Sequence, residues 1–238
     1  MVTKAKRVQP APSRRPPSRR LAVIEAAARL FVERGYDATT IEEVADAARV
    51  ARAIVFSAVG GKPALLKAAF DVALVGDDEP ISLAQRPRAL AVREAREPAR
   101  YLALYAELVA EVGGRVAELH EAVREAAGSD PDARYLWETH EARRREGAAG
   151  VVRDLLTRGR LRDGVDAEQA ADIVWVLDDP GLYHRLVHRR RWTPERFQGW
   201  LADSLRRQLL PDAPSSAPQP LPTSSGAAAP GQLRAPSR

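Results

Sequence analysis

The stretch "TIEEVADAARVARAIVFSA", residues 40–58, decides the fold. It reads as a capped helix, a tight turn and a second short helix, directly behind a longer amphipathic helix. Thr40 is placed to cap the first short helix, and Glu43, three residues on, completes a capping box. Ile41, Val44, Ala45 and Ala48 then share one face, and the small alanines let a second helix, roughly Arg52 to Ala58, cross close by. Two short helices crossing about a tight turn make a helix-turn-helix, a compact way of presenting the second helix to the DNA major groove.

Working outward, the run "LAVIEAAARLFVERGYDATTIEEVADAARVARAIVFSAVGGKPALLKAAF", Leu21 to Phe70, has the order helix, Gly-Tyr, Thr-Thr, two helices and Lys-x-x-Leu-Leu. It is carried by Ala26, Ala27, Phe31, Gly35, Tyr36, Thr39, Thr40, Ile41, Val44, Ala45, Val50, Arg52, Phe56, Lys62, Leu65 and Leu66. In this it resembles the DNA-binding domain of the tetracycline-repressor (TetR) family. The resemblance implies an all-α chain: an N-terminal three-helix helix-turn-helix domain followed by a helical ligand-binding and dimerisation domain. It implies a dimeric, sequence-specific transcriptional regulator, a repressor released from its operator by a small, largely apolar ligand. The implied partners are double-stranded DNA with a palindromic operator, a small-molecule effector and a second copy of the chain.

The same resemblance assigns Arg52, Ala53 and Ser57 to base edges and Thr39, Thr40, Phe56 and Lys62 to backbone phosphates. Arg52 is able to form bidentate bonds to guanine or to anchor a phosphate. Lys62 opens the next helix, where its ammonium and the unpaired N–H groups would share a phosphate. The chain departs from the family pattern at four places. Arg49 stands where glycine is common, at about 1 kcal/mol if left-handed. Ala51 stands where a hydroxyl caps the second helix, forfeiting about 1 kcal/mol more. Phe56 and Ala58 replace a usual Tyr and His, so specificity falls to Arg49, Arg52, Ser57, methyl contacts and the basic N-terminus. These departures keep a second reading open, a helical dimer of the same build with degenerate DNA specificity that acts as a small-molecule or protein-binding module.

Charge is unevenly placed. The 238 residues carry 37 Lys and Arg against 32 Asp and Glu. Seven of the basic residues, ending with Arg19 and Arg20, lie in the first 20, which hold no acid. Four prolines there disfavour helix, so residues 1–18 read as a disordered basic arm suited to phosphates or the minor groove. The Pro-, Ser- and Ala-rich residues 211–238 read as a disordered tail. Between them the expected division is a DNA-binding domain at 19–61, a linking helix at 62–76 and a ligand-binding and dimerisation domain at 77–210. The basic N-terminus has no apolar segment of a secretion signal, and the expected location is cytoplasmic, with no membrane partner. With no cysteine, thiol chemistry is excluded.

The helical punctuation is dense. The first helix, Arg19 to Arg34, carries Leu21, Ile24, Ala28 and Phe31 on one stripe and stops at Gly35, a left-handed terminator. A linking helix from Lys62 ends near Gly76, and a short one spans about Arg88 to Arg96. Pro98 opens a long helix that Gly128 ends; Asp130-Pro131, Asp179-Pro180 and Thr193-Pro194 each read as cap plus first position, and Asp166 with Gln169 as a capping box. The helices Ala167 to Leu177 and Pro194 to Leu210 are the expected dimer contacts, setting two recognition helices about 34 Å apart.

A cavity among the long helices, implied by the resemblance, has Tyr101, Tyr105, His120, Trp137, His140 and Trp175 as candidate lining. An aromatic stripe at helical spacing serves a bundle core equally well. Gly113 and Gly114 interrupt the long helix, to bend it or to leave room for a guest. His184 and His188 lie four apart, but Arg185, Arg189, Arg190 and Arg191 oppose a cation, so no metal is expected. Gly60-Gly61-Lys62 lacks the spacing of a phosphate loop, and no catalytic constellation appears. Neither an enzyme nor a cofactor is expected.

Overall fold

Ser18 starts the first helix by accepting a hydrogen bond from the N–H of Leu21, one of the donors a helix N-terminus leaves open. The computed structural model describes residues 18–212 apart from 78 and 80, and its regular elements are all helical. The calls made on the arm before Ser18 and on the tail beyond Asp212 lie outside these residues. The N-terminal helices are α1 (Arg19–Arg34), α2 (Ile41–Ala48), α3 (Arg52–Ala58) and α4 (Lys62–Val75). A 3₁₀ turn, Leu83–Gln85, leads to α5 (Pro87–Glu94) and two long helices, α6 (Pro98–Ala126) and α7 (Pro131–Leu156). α8 (Ala167–Leu177), α9 (Pro180–Tyr183) and α10 (Pro194–Leu209) complete the bundle, with a π-helical turn at His184–Arg189. No single helix among the described residues is long and apolar enough to cross a membrane.

The caps do what their chemistry allows. Thr40 Oγ1 accepts from the Glu43 N–H at 3.2 Å, and Glu43 Oε2 accepts from the Thr40 N–H at 2.9 Å. Asp130, Asp166, Asp179 and Thr193 cap α7, α8, α9 and α10 with side-chain oxygens. Gly76 ends α4 in the left-handed conformation. Gly35 has a positive φ of 82° but an extended ψ of 164°, so α1 ends on a glycine-favouring conformation but not in the left-handed helical geometry expected. The short helix α5 begins and ends slightly earlier than its pattern suggested.

Through Gly113 and Gly114, α6 is continuous. A Cβ on Gly113 would stand 2.8 Å from Cδ2 of Tyr183, so the glycine admits the Tyr183 ring against the helix. The room the two glycines leave is taken by a residue of α9.

Two buried clusters hold the bundle, and α6 and α7 run through both. The first joins α1–α4 to the second half of α6 and the start of α7, through Phe31, Leu65, Phe70, Val116, Val123 and Leu136. The second packs Leu102, Leu155, Val174, Phe197, Leu201 and Leu205 at the other end. Burial of each such side chain contributes about 1.5–3 kcal/mol relative to exposure. The helix-turn-helix therefore shares a core with the long helices, so displacement of α6 or α7 is felt in its packing.

Candidate functional site

α3 gives Val55 to the core and leaves Arg52, Ala53, Phe56 and Ser57 on its exposed side. Arg52 Nη1 lies 3.0 Å from Glu42 Oε1, and its guanidinium sits 5.5 Å from the centre of the Phe56 ring. Phe56, 46% exposed, is an apolar surface on a helix with few polar groups. Ser57 donates its hydroxyl to the Ile54 carbonyl at 3.2 Å. Arg49 adopts the left-handed conformation at φ 55° and Ala51 gives α3 no side-chain cap, the two strained features expected of this turn. Arg19 and Arg20 are exposed at the start of α1.

Two of the expected phosphate contacts are used inside the chain. Thr39 is 1% exposed, with its hydroxyl 2.8 Å from the Gly35 carbonyl and 3.2 Å from that of Leu30. Its side chain fastens the turn to α1. Lys62 Nζ donates to the Asp37 carbonyl at 3.1 Å and stands 4.4 Å from the centre of the Tyr36 ring. Its ammonium therefore faces the turn before α2, in a cation–π contact that offsets its unfavourable place at a helix N-terminus. Thr40 is exposed, with its hydroxyl in the capping box.

A chamber of about 250 Å³ lies between α4, α6, α7 and the junction of α8 with α9. Phe70, Leu74, Leu108, Val112, Val116 and Tyr183 supply apolar wall. At the polar end Tyr105 donates to Asp178 Oδ2 at 2.7 Å, and Arg144 donates to Asp178 Oδ1 at 2.9 Å and to the Trp175 carbonyl at 2.6 Å. Burial pushes the Asp178 carboxyl up to about 6, against the pull of Arg144 and Tyr105. Burial also drives the Tyr105 hydroxyl well above its usual range. For Arg144 burial works to lower the value, and Asp178 and Glu141 hold it above normal. Burial works to raise Asp179, and the His120 ring and the Gly181 N–H more than offset it, leaving that carboxyl below its usual range.

His140 completes the wall, its ring centre 4.0 Å from that of Phe70. It is 6% exposed, its Nε2 is buried without a hydrogen-bonding partner, and burial pushes its pKa down to about 4. Phe70 belongs to α4, the helix that follows α3. The far end of α4 is held by Arg115, which donates to the Ala73 carbonyl at 3.0 Å and to that of Leu74 at 3.1 Å.

The six expected lining residues are divided. Tyr105 and His140 face the chamber. His120, Trp137 and Trp175 line a separate groove of about 430 Å³, which shares Arg144 and Asp179 with the chamber as a common wall. His120 sits 3.4 Å from Asp179 and 4.8 Å, centre to centre, from Trp137. Tyr101 lines neither space: it is 2% exposed, its hydroxyl donates to the Val151 carbonyl at 3.3 Å, and Arg158 covers its ring. Its assignment to the cavity is corrected, since it is a core residue. A wider cleft of about 630 Å³ opens beside α4 and the loop at 77–82, where Lys67 pairs with Asp71 and Asp77 with Arg86.

Arg144 and Asp178 were not singled out by the sequence pattern. Arg144 stands in a run of three arginines that the pattern does not distinguish, although the adjacent acids Asp178 and Asp179 in a largely apolar segment were a usable signal.

The helix-turn-helix thus shares its core with the chambered helical bundle behind it. Residues 23–69 match the model of the bacterial regulatory proteins of the tetR family. The fold recurs in a protein of Saccharomonospora viridis solved in complex with choline, at 19% identity and a TM-score of 0.62, over 80% of this chain and 96% of that one. It recurs in the Bacillus subtilis transcriptional regulator FadR in complex with stearoyl-CoA, at 16% identity and a TM-score of 0.61, over 78% and 96%. NalD of Pseudomonas aeruginosa, the secondary repressor of the MexAB-OprM multidrug efflux pump, has 20% identity and a TM-score of 0.57, over 82% and 98%. No curated protein matches the chain. Residues 23–69 are thus similar to the tetR family of bacterial regulatory proteins, and the chain as a whole shares the fold of these solved structures.

Proposed function

We propose that the protein is a dimeric repressor that reads a palindromic operator with α3 and is released from it by a small, largely apolar ligand. The observation that carries this reading is the membership of α4 in two structures at once. Its first residue, Lys62, is bound to the turn between α1 and α2, and its Phe70 and Leu74 form wall of the chamber. A ligand that moves Phe70 therefore works against the helix to which α3 is joined. By linkage, ligand and DNA then weaken each other's binding by the same factor.

On the DNA side Arg52 reads a guanine or anchors a phosphate, Ala53 supplies an apolar contact to a thymine methyl group, Phe56 packs against the backbone at a phosphate-contacting position, and Ser57 and Arg49 add polar contacts. Arg19, Arg20 and Thr40 lie on the exposed part of the same domain and contact the backbone. In the dimer, α8 and α10 pack against their copies, and the two α3 helices enter successive major grooves. The domain division follows the chain: DNA binding at 19–61, linking helix at 62–76, ligand binding and dimerisation at 77–210. A chamber of 250 Å³ is small beside the usual range of about 300–1,000 Å³ for ligand sites and far too small for an acyl-CoA.

Fluorescence anisotropy with DNA from upstream of the coding region, beside a shuffled duplex, tests the reading at two salt concentrations. A preference of about 1000-fold that survives the higher salt is expected. The uncapped start of α3 at Ala51 and its few free polar groups support the second reading, a binding module with degenerate DNA specificity. That reading expects equal, salt-labile binding to both duplexes.

A further inference from the structure

Within the wall of the chamber the polar side chains are unequally satisfied. The carboxylate of Asp178 is held by Arg144 and Tyr105, and that of Asp179 lies against His120 and accepts from the Gly181 N–H. Arg144 is further bound to Glu141 and to the Trp175 carbonyl. An anionic guest bound at Arg144 has to take it from Asp178, and a cationic guest bound at Asp178 has to take it from Arg144. Either leaves a buried charge without its partner, which proteins strongly disfavour. The two arginines of the lining, Arg143 and Arg144, balance the two aspartates, so there is no net charge for a guest to neutralise.

His140 differs. Among the buried side-chain polar atoms of the described residues that lack a partner, its Nε2 is the one belonging to a residue of the chamber wall. A neutral imidazole has one N–H and one bare nitrogen, and which of them is Nε2 depends on its partner. A hydroxyl both donates and accepts, so it suits either form; hydrocarbon satisfies neither. The ring also lies against that of Phe70, tilted by 44°, so a group bonded to His140 bears directly on α4.

We infer that the chamber selects a small uncharged molecule of about ten non-hydrogen atoms, with an apolar body and a single hydroxyl that pairs with His140. This rests on the reading of the chamber as the effector site. It makes His140 the specificity-determining residue and disfavours charged effectors of equal size at the Arg144–Asp178 end.

The test uses the full-length protein and four probes of matched shape in calorimetric titration: para-isopropylphenol, para-isopropyltoluene, para-isopropylbenzoate and para-isopropylbenzylammonium. The phenol is expected to bind about ten-fold or more tightly than the hydrocarbon, the loss associated with one unmade buried hydrogen bond, and both charged probes more weakly than the phenol. In His140→Phe, checked for folding by circular dichroism, the phenol and the hydrocarbon should come within about two-fold of each other. Equal binding of phenol and hydrocarbon to the unaltered protein, or tighter binding of either charged probe, overturns the inference while leaving the effector site standing. Failure of all four to bind overturns the inference and the effector-site reading together.

Discussion

The Tyr36 hydroxyl donates a 2.8 Å hydrogen bond to Oδ2 of Asp130, across 94 residues of sequence. Asp130 is also the cap of α7, its other oxygen accepting from the N–H groups of Asp132 and Ala133. One carboxylate thus starts the helix that carries His140 and Arg144 and holds the turn that precedes α2. Backbone N–H donation and the Tyr36 bond keep that carboxyl below its usual range, and burial, then Asp130 itself, raise the Tyr36 hydroxyl. The Ser129 hydroxyl, 3.1 Å from the Asp37 carboxylate, makes a second tie between the same segments. Tyr36→Phe should cost about 1 kcal/mol in urea denaturation, because the freed carboxylate is rehydrated, and Asp130→Ala about 2 kcal/mol, because the cap goes as well. Equal losses would show that the cap contributes nothing beyond the Tyr36 bond.

The two glycines Gly113 and Gly147 should answer opposite ways to the same substitution. Gly113→Ala places a methyl within 2.8 Å of the Tyr183 ring, so the net loss is expected at about 1–3 kcal/mol despite the gain in helix propensity. Gly147 in α7 has nothing within 4 Å of its would-be Cβ, and Gly147→Ala should stabilise by up to about 1 kcal/mol. Thermal denaturation of the two variants side by side checks the pair, and a stabilising Gly113→Ala would contradict the packing described.

Thr39 separates a fold role from a DNA role. Its hydroxyl is spent on the carbonyls of Gly35 and Leu30, so Thr39→Val should lower stability by about 1 kcal/mol while leaving the salt dependence of DNA binding unchanged. Loss of a phosphate contact would instead reduce the slope of log K against log salt by about one.

Acid should act on His140 and Asp178 in opposite directions. The folded value of His140, about 4, lies below its ordinary 6.5, so its contribution is fully present above pH 6.5 and is lost as the pH falls through 4. The folded value of Asp178, about 6, lies above its ordinary 3.8, so its contribution is present below pH 3.8 and is lost as the pH rises through 6. Each amounts to roughly 3 kcal/mol at most. Between pH 7 and pH 4.5 the fall in Tm should therefore be smaller in His140→Phe than in the unaltered protein and larger in Asp178→Asn. The comparison is made within each variant across pH, so a general loss of stability cancels.

Helix starts were legible because their chemistry is local: Asp130-Pro131, Asp179-Pro180 and Thr193-Pro194 each put a cap beside a residue that fits the first turn. The capping box at Thr40 and the strained Arg49 turn were readable for the same reason. The polar end of the chamber was not, because Arg144 and Asp178 are 34 residues apart and Tyr105 and Asp178 73 apart, and no periodicity pairs them. Tyr101 and Tyr105 are indistinguishable by helical spacing, yet one meets the Val151 carbonyl in the core and the other meets Asp178. Gly113 shows the same limit: the sequence marks a missing side chain, and only the fold shows the Tyr183 ring that needs the space.

The measurement that bears most directly on the account is selection of binding sites from random duplexes by the unaltered protein and by Arg52→Ala in parallel. The account predicts enrichment of a palindrome whose half-sites lie about one helical turn, or a multiple of it, apart, with relaxed preference in the variant at the base pair Arg52 reads. Unenriched, salt-labile binding by both proteins would contradict it and leave the degenerate binding module as the better description.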